Sequence, residues 1–163
     1  MKSFRLMLLL AIFMSPMLYG EEKNVSNELF GKLALGQSAE TLKKVVGEPE
    51  GKGKEVLWEA IGEWVQDWKF SKQGLTVAMA SGKKGGAKTI FSLTASAGCS
   101  LATARGIKIG SPESAARKAY AKEKDKEQSP TGETFIAGSI YGGVIFSFTD
   151  GKVSQIFIGA AAE

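Results

Sequence analysis

Two short stretches of the sequence open in nearly the same way: Leu35-Gly36-Gln37-Ser38 and Ile109-Gly110-Ser111-Pro112. Each is followed by apolar residues at helical spacing and then by strand-like segments. A serine directly before a helical pattern is a typical N-cap, and proline is well tolerated at the first helical position. The sequence therefore predicts two copies of one small unit, each a helix followed by a sheet.

The first unit is predicted to extend over residues 31–97. Ser38 is its N-cap, and Gly47 followed by Pro49 ends the helix. Strand-like segments follow at 56–61, 64–70, 75–80 and 89–94. The glycine-lysine run at 82–86 predicts a hairpin loop, and an antiparallel meander would connect these strands with short loops.

The second unit is predicted to extend over residues 98–163. Ser111 is its N-cap, Pro112 its first helical residue, and the helix is expected to run out into the charged residues 122–127. Strands are predicted at 134–137, 140–149 and 153–158, with a hairpin turn at Asp150-Gly151. We therefore expect a strand-rich second unit.

An alignment of the two units predicts part of the core. Setting Glu55 opposite Glu133 places Trp68 against Phe146 and Phe70 against Phe148. These positions are large and apolar in both copies. We therefore expect them to line the sheet face that the helices cover.

The first 20 residues have the anatomy of a secretory signal peptide. A basic start precedes an apolar run at 6–14, and Tyr19-Gly20 offers a cleavage site. The apolar run is shorter than the roughly 20 residues that a membrane-spanning helix needs, so no stable membrane span is expected. Residues 21–30 are predicted to form a polar leader. The protein is predicted to be periplasmic or secreted.

The charge of the chain is close to balanced once this segment is removed. Loss of Lys2 and Arg5 leaves 19 of the 21 basic residues against 17 acidic residues. The basic residues are also scattered along the chain. Because nucleic-acid binding needs a concentrated basic surface, we expect no nucleic-acid partner.

The residues that most enzymes use are scarce. Histidine, the commonest general base and metal ligand, is absent. Cys99 is the single cysteine, so it can form no internal disulfide and is predicted to be a small buried side chain. Serine near lysine at 71–72 and 81–83 lies beside turns and lacks a nucleophile elbow. We expect a protein that is not an enzyme, with no cofactor and no metal site.

Three aromatic residues are the candidate partner-binding residues: Trp58, Trp64 and Tyr141. They lie on strand-like segments, and the alignment of the two units places no equally large aromatic residue opposite them. Tryptophan and tyrosine bury a large area at a low entropy cost and are enriched in binding hot spots. Packing in the core, or in the seam between the units, is the alternative role for all three.

Residues 36–49 and 105–113 resemble the helix openings of bacterial exported proteins of the beta-lactamase inhibitor protein type. A similar unit occurs in the small lipoprotein of the outer-membrane barrel assembly machinery. The second segment, followed by residues 148–153 and Ile156, also looks like a repeat of bacterial envelope proteins. The resemblance implies an α+β fold in which two tandem helix-plus-antiparallel-sheet repeats form one continuous sheet with helices on one face. It implies an open face available to a partner, and no catalysis.

The chain departs from both relatives in its cysteines. It lacks the acylated cysteine of the lipoprotein and the cysteine pairs of the inhibitor, so neither the anchor nor the target is carried over. The sequence predicts a binding protein that engages another envelope or extracellular protein through the open sheet face. The alternative is a carrier of a small apolar ligand between helices and sheet, suggested by the glycine and aromatic residues around Gly142-Gly143. The oligomeric state stays open.

Overall fold

A computed structural model of the protein describes residue 25 and residues 28–127 and 132–161. The predicted signal peptide, with its cleavage site after Gly20, lies outside the described residues. Within the described ranges, no helix is both long and apolar enough to cross a lipid bilayer.

The described chain contains two α helices and a sheet of eight strands, and the sheet dominates. The helices are α1 (Ala39–Val46) and α2 (Glu113–Ala119). The strands are β1 (Gly51–Lys52), β2 (Val56–Trp58), β3 (Glu63–Phe70), β4 (Leu75–Ser81), β5 (Thr89–Ala95), β6 (Thr134–Ser139), β7 (Gly142–Thr149) and β8 (Lys152–Gly159). The prediction of a mixed α and β fold built on an antiparallel sheet is confirmed.

The strand order joins the two parts of the chain in one sheet. It is β1-β3-β4-β5-β8-β7-β6, and β2 pairs with β3 on the side that also carries β1. All pairs are antiparallel. At the centre, Leu93 of β5 faces Ile158 of β8. Strands from residues 51–95 and from residues 134–159 therefore meet along β5 and β8.

The chain approaches both helices with the same hydrogen-bond pattern. The backbone before α1 exchanges two hydrogen bonds with Ile90 of β5, each 2.8 Å long. The backbone before α2 exchanges two with Val153 of β8, at 2.8 and 2.9 Å. Helix α1 therefore starts beside β5, the last strand of residues 51–95. Helix α2 starts beside β8, the last strand of residues 134–159.

Helix α1 begins and ends where the sequence predicts. The Ser38 hydroxyl accepts a hydrogen bond from the Thr41 N–H at 3.2 Å, which satisfies one of the free donors of the first turn. Gly47 follows the last turn at a φ of +86°, a conformation that glycine adopts without a steric penalty. Leu42 and Val46 are buried and anchor the helix.

Helix α2 differs from the prediction at both ends. Pro112 has extended backbone angles and occupies the N-cap position, so the helix starts at Glu113. The Ser111 hydroxyl is not its cap because it accepts a hydrogen bond from the Lys108 N–H at 3.0 Å. The helix also ends before the charged run, since Tyr120 is fully buried at its end and Lys124 bridges to the sheet edge at Ala137.

Each segment predicted to be a strand forms one in the structure, and the differences lie mainly in the first and last residues of the strands. Strand β2 stops at Trp58 because residues 59–62 form the turn to β3. Strand β7 starts at Gly142 because Ile140 and Tyr141 form a turn. The two-residue strand β1 is not predicted by any alternation of apolar and polar residues.

One large apolar cluster forms the core. It contains the four predicted core residues, Trp68, Phe70, Phe146 and Phe148, and side chains from both helices. Cys99 is also buried within it, as predicted. Three residues of the predicted polar leader lie in buried positions: Val25, Glu28 and Phe30. We call the sheet face that carries Trp68 and Phe146 the core face, and the opposite one the outer face.

Candidate functional site

Trp58 lies on the outer face, at the end of the hairpin that β2 and β3 form. It pairs with Glu63 across the hairpin, and Val56 pairs with Val65. Gly62 closes the turn at a φ of +68°, with its N–H bonded to the Trp58 carbonyl at 2.9 Å. Because directly opposed residues share a face, Trp58 and Val65 lie on the same side of the sheet.

A second, smaller apolar cluster surrounds Trp58 on this face. Its buried members are Val65, Ala78 and Ala80, and Trp58 and Phe91 pack against them half-buried. The two rings meet edge to face, with centroids 5.6 Å apart and planes at 87°. These five residues are called the outer cluster below.

Phe91 belongs to the outer cluster because of a β-bulge. The register of β4 and β5 shifts after Ala78, which leaves Phe91 without an opposing residue on β4. Sequence reasoning missed Phe91, since strict alternation along β5 would place it on the same face as Leu93. The one signal that could have found it is the three-residue spacing of the apolar Ile90 and Leu93, which breaks the alternation and indicates a bulge.

Apolar residues continue on the outer face beyond this cluster. The register places Phe157 opposite Thr94 and Ile145 opposite Phe157, and both apolar residues are half-buried. Ile136 of β6 follows opposite Ile145 and is buried. The outer face thus carries apolar side chains from β2 to β6.

Trp64 lies on the other side of the sheet from Trp58. It pairs with Leu57 and with Ser81, in phase with Gln66 and Trp68 of the core face. The Lys84 ammonium lies 5.3 Å from the centroid of its ring, a distance at which a cation is attracted to the π face. Trp64 therefore cannot share one flat surface with Trp58.

Tyr141 lies in the turn between β6 and β7 and is 69% exposed. Its N–H donates to the Ser139 hydroxyl at 3.3 Å, which helps to hold the turn. The strand order places β4, β5 and β8 between β3 and β7. The structure therefore does not bring Tyr141 together with the two tryptophans, and partner binding by these three residues stays a prediction.

A polar cluster joins the β4–β5 loop to the residues before β2. The Lys88 ammonium forms an ion pair with Glu55 and donates to the Ser81 hydroxyl at 3.3 Å. The hydrogen bond from Lys88 lowers the pKa of Glu55. The Ser81 hydroxyl in turn donates to the Lys83 carbonyl at 3.0 Å. Because Lys88 is paired with Glu55 and donates to the Ser81 hydroxyl, it is not placed to remove the proton of that hydroxyl. We interpret these contacts as structural.

A second polar cluster ties residue 28 to the end of α2. Glu28 is buried and accepts hydrogen bonds from the Tyr120 hydroxyl at 2.6 Å and from the Ala104 N–H at 3.0 Å. Burial raises the pKa of Tyr120, so the phenol stays protonated as the donor. The Arg105 guanidinium lies 4.4 Å from the centre of this ring and forms an ion pair with Glu123. These contacts fasten the start of the described chain to α2.

The single thiol lies in the core, and a described cavity lies beside α2. Burial raises the pKa of the Cys99 thiol, which disfavours the reactive thiolate. A cavity of about 300 Å³ lies at the start of α2, lined by Glu113, Glu133, Asp150 and four neighbours. No group of three or more potential metal ligands occurs within the described ranges.

Comparison of the chain with protein-family models, with curated proteins and with solved structures finds no match.

Proposed function

We propose that the protein is an exported, non-catalytic binding protein whose outer sheet face holds another envelope or extracellular protein. The observation that carries the proposal is the outer cluster. Apolar side chains on a sheet face are ordinarily covered by a second layer, and Trp58 and Phe91 keep part of their surface accessible. Tryptophan is enriched among the residues that contribute most of the binding energy in protein interfaces.

The proposal includes a tandem repeat with both helices on the core face. It is supported by the matching hydrogen bonds that place Ile90 and Val153 beside the starts of α1 and α2. The bulge at Phe91 has a counterpart at Ser154, where the register of β7 and β8 shifts in the same way. Buried side chains of both helices belong to the core cluster and none belongs to the outer cluster. A repeat of this kind leaves the outer face for a partner.

An enzyme receives less support than a binding protein. The contact between the Ser81 hydroxyl and the Lys88 ammonium involves a lysine that is paired with Glu55. General-base catalysis would need that lysine to be neutral and able to accept the serine proton.

A carrier of a small apolar ligand also receives less support. The region that suggested it, around Gly143, is closely packed, since a Cβ there would lie 2.6 Å from the Ser139 carbonyl oxygen. The cavity at the start of α2 is lined by three acidic residues, Glu113, Glu133 and Asp150. An apolar ligand there would take water away from charged side chains, which costs free energy.

Site-specific photo-crosslinking in intact cells tests the proposed face. A photoreactive phenylalanine replaces Thr94 or Gln155, which the register places on the outer face. Matched controls carry it at Glu40 of α1 or Lys118 of α2, which are exposed on the helices. We expect a defined protein adduct from the two outer positions and none from the helix positions. Adducts only from the helix positions, or none from any, would contradict the proposal.

A further inference from the structure

The two edges of the sheet are covered to different extents. At one edge, Lys124 bridges to Ala137 of β6 and the Asp125 N–H bonds to the Ile136 carbonyl at 2.9 Å. At the other edge, β2 pairs with β3 alone, and its second side meets no strand in the part of the chain that the structure describes. An uncovered edge strand presents unpaired backbone groups that can accept another strand.

The β2 hairpin also carries much of the exposed apolar surface. Val56, Leu57 and Ile61 are 47%, 41% and 39% exposed. Val56 and Leu57 point to opposite faces of the sheet, because successive residues of a strand alternate. Both faces of this edge therefore offer apolar side chains to an added strand.

The charges along this edge are ordered. Lys54 precedes the apolar residues of β2, and Glu59 follows them. Within the described residues, neither of these two side chains forms an ion pair. Glu55 is an acidic residue at the basic start of this edge. Its carboxylate is already paired with Lys88 and accepts hydrogen bonds from the Gly85 N–H, so it does not add a free negative charge there. The edge is thus basic at its start, apolar in its middle and acidic at its end.

We propose that β2 pairs antiparallel with β2 of a second copy of the chain and so continues the sheet across a twofold axis. Antiparallel pairing reverses one strand, which sets the basic start of each copy against the acidic end of the other. The contact is isologous, as in most symmetric dimers. It is also short, so the dimer belongs among the small, weak interfaces and its population rises with protein concentration.

Sedimentation velocity of the full chain over a range of concentrations tests this dimer, with three variants at the edge. We expect Leu57→Lys to weaken association by at least about tenfold, because it puts a charged side chain into the apolar middle of the contact. Lys54→Glu and Glu59→Lys should each weaken association, since each leaves like charges opposed. The double variant Lys54→Glu/Glu59→Lys should restore it, because its two ends are again opposite in charge.

Tyr141→Lys is the matched control, since it adds the same charge at an exposed turn between β6 and β7, away from the β2 edge. We expect it to associate like the unaltered chain. Unchanged thermal unfolding of each variant, followed by circular dichroism, separates loss of association from loss of fold. A chain that stays monomeric at every concentration would overturn the proposal. So would association that survives Leu57→Lys, or a double variant weaker than either single one.

Discussion

Phe146→Ala is expected to lower the free energy of unfolding by about 3–5 kcal/mol, the range measured for removal of a buried phenylalanine. Phe146 lies on β7 and is fully buried. Its ring centroid is 5.1 Å from that of Tyr120 and 6.3 Å from that of Phe135. It therefore joins the end of α2 to two strands, and its removal leaves a cavity that rigid sheet backbone cannot close.

Urea unfolding with linear extrapolation measures this loss. Tyr141→Ala is the control, because it removes an aromatic residue of similar size from the exposed turn beside the same strand. We expect the control to change the free energy of unfolding by no more than about 0.5 kcal/mol. A loss below about 1 kcal/mol for Phe146→Ala would mean that this part of the core is packed differently.

Gly74→Ala is expected to cost about 3 kcal/mol or more, because it combines backbone strain with a steric clash. Gly74 ends a 3-10 turn at Ser71–Gln73 with a φ of +57°. A Cβ there would lie against the Ala97 carbonyl oxygen, 2.6 Å from the Cys99 nitrogen. These are backbone atoms, and the Ser96 N–H holds them by its bond to the Gly74 carbonyl at 2.9 Å. The chain must therefore shift to admit a methyl group.

Gly36→Ala separates the two causes. Gly36 has a φ of +78° and open space around its Cβ position. Alanine there meets the strain alone, which is worth about 1–2 kcal/mol. Thermal or urea unfolding of the two variants should therefore rank Gly74→Ala as clearly less stable. Equal losses would show that the loop at residues 96–99 does not pack against Gly74 as described.

Much of the fold follows from local sequence signals. The cap at Ser38, the stop at Gly47 and the Asp150-Gly151 turn are short-range features whose physical cause lies in a few neighbouring residues. The limits of α2 were missed because long-range contacts decide them. Burial of Tyr120 and the bridge from Lys124 to the sheet outweigh the helix propensity of the charged run.

The alignment of the two units illustrates the same limit. A single offset set Trp68 against Phe146, which lie on β3 and β7. The register pairs Trp68 with Val77 in the first part, and Phe135 with Phe146 in the second. If the units are matched through their bulges and helix starts, Trp68 corresponds to Phe135. Under that matching, loops of different length would change the offset along the chain, and a single offset would not align all strands.

The candidate site was predictable only in part. Trp58 could be singled out as a strand tryptophan, but its face depends on the pairing of β2 with β3. The register of the same hairpin places Trp64 on the core face. Tyr141 lies in the turn between β6 and β7, the two strands at the opposite end of the strand order from β2 and β3. Phe91 enters the outer cluster through a bulge, which alternation of residue types does not reveal.

The most direct test of partner binding by the outer face is the affinity of the crosslinked partner, once purified, for variants of the two faces. Trp58→Ala/Phe91→Ala removes the half-buried rings of the outer cluster, and Trp64→Ala removes a tryptophan from the core face of the same hairpin. We expect isothermal titration calorimetry to show at least about a 30-fold weaker Kd for the outer-face variant, the equivalent of a ~2 kcal/mol hot spot. The Trp64→Ala protein should bind within about threefold of the unaltered chain. Equal affinity of the outer-face variant and the unaltered chain would contradict the proposed binding face.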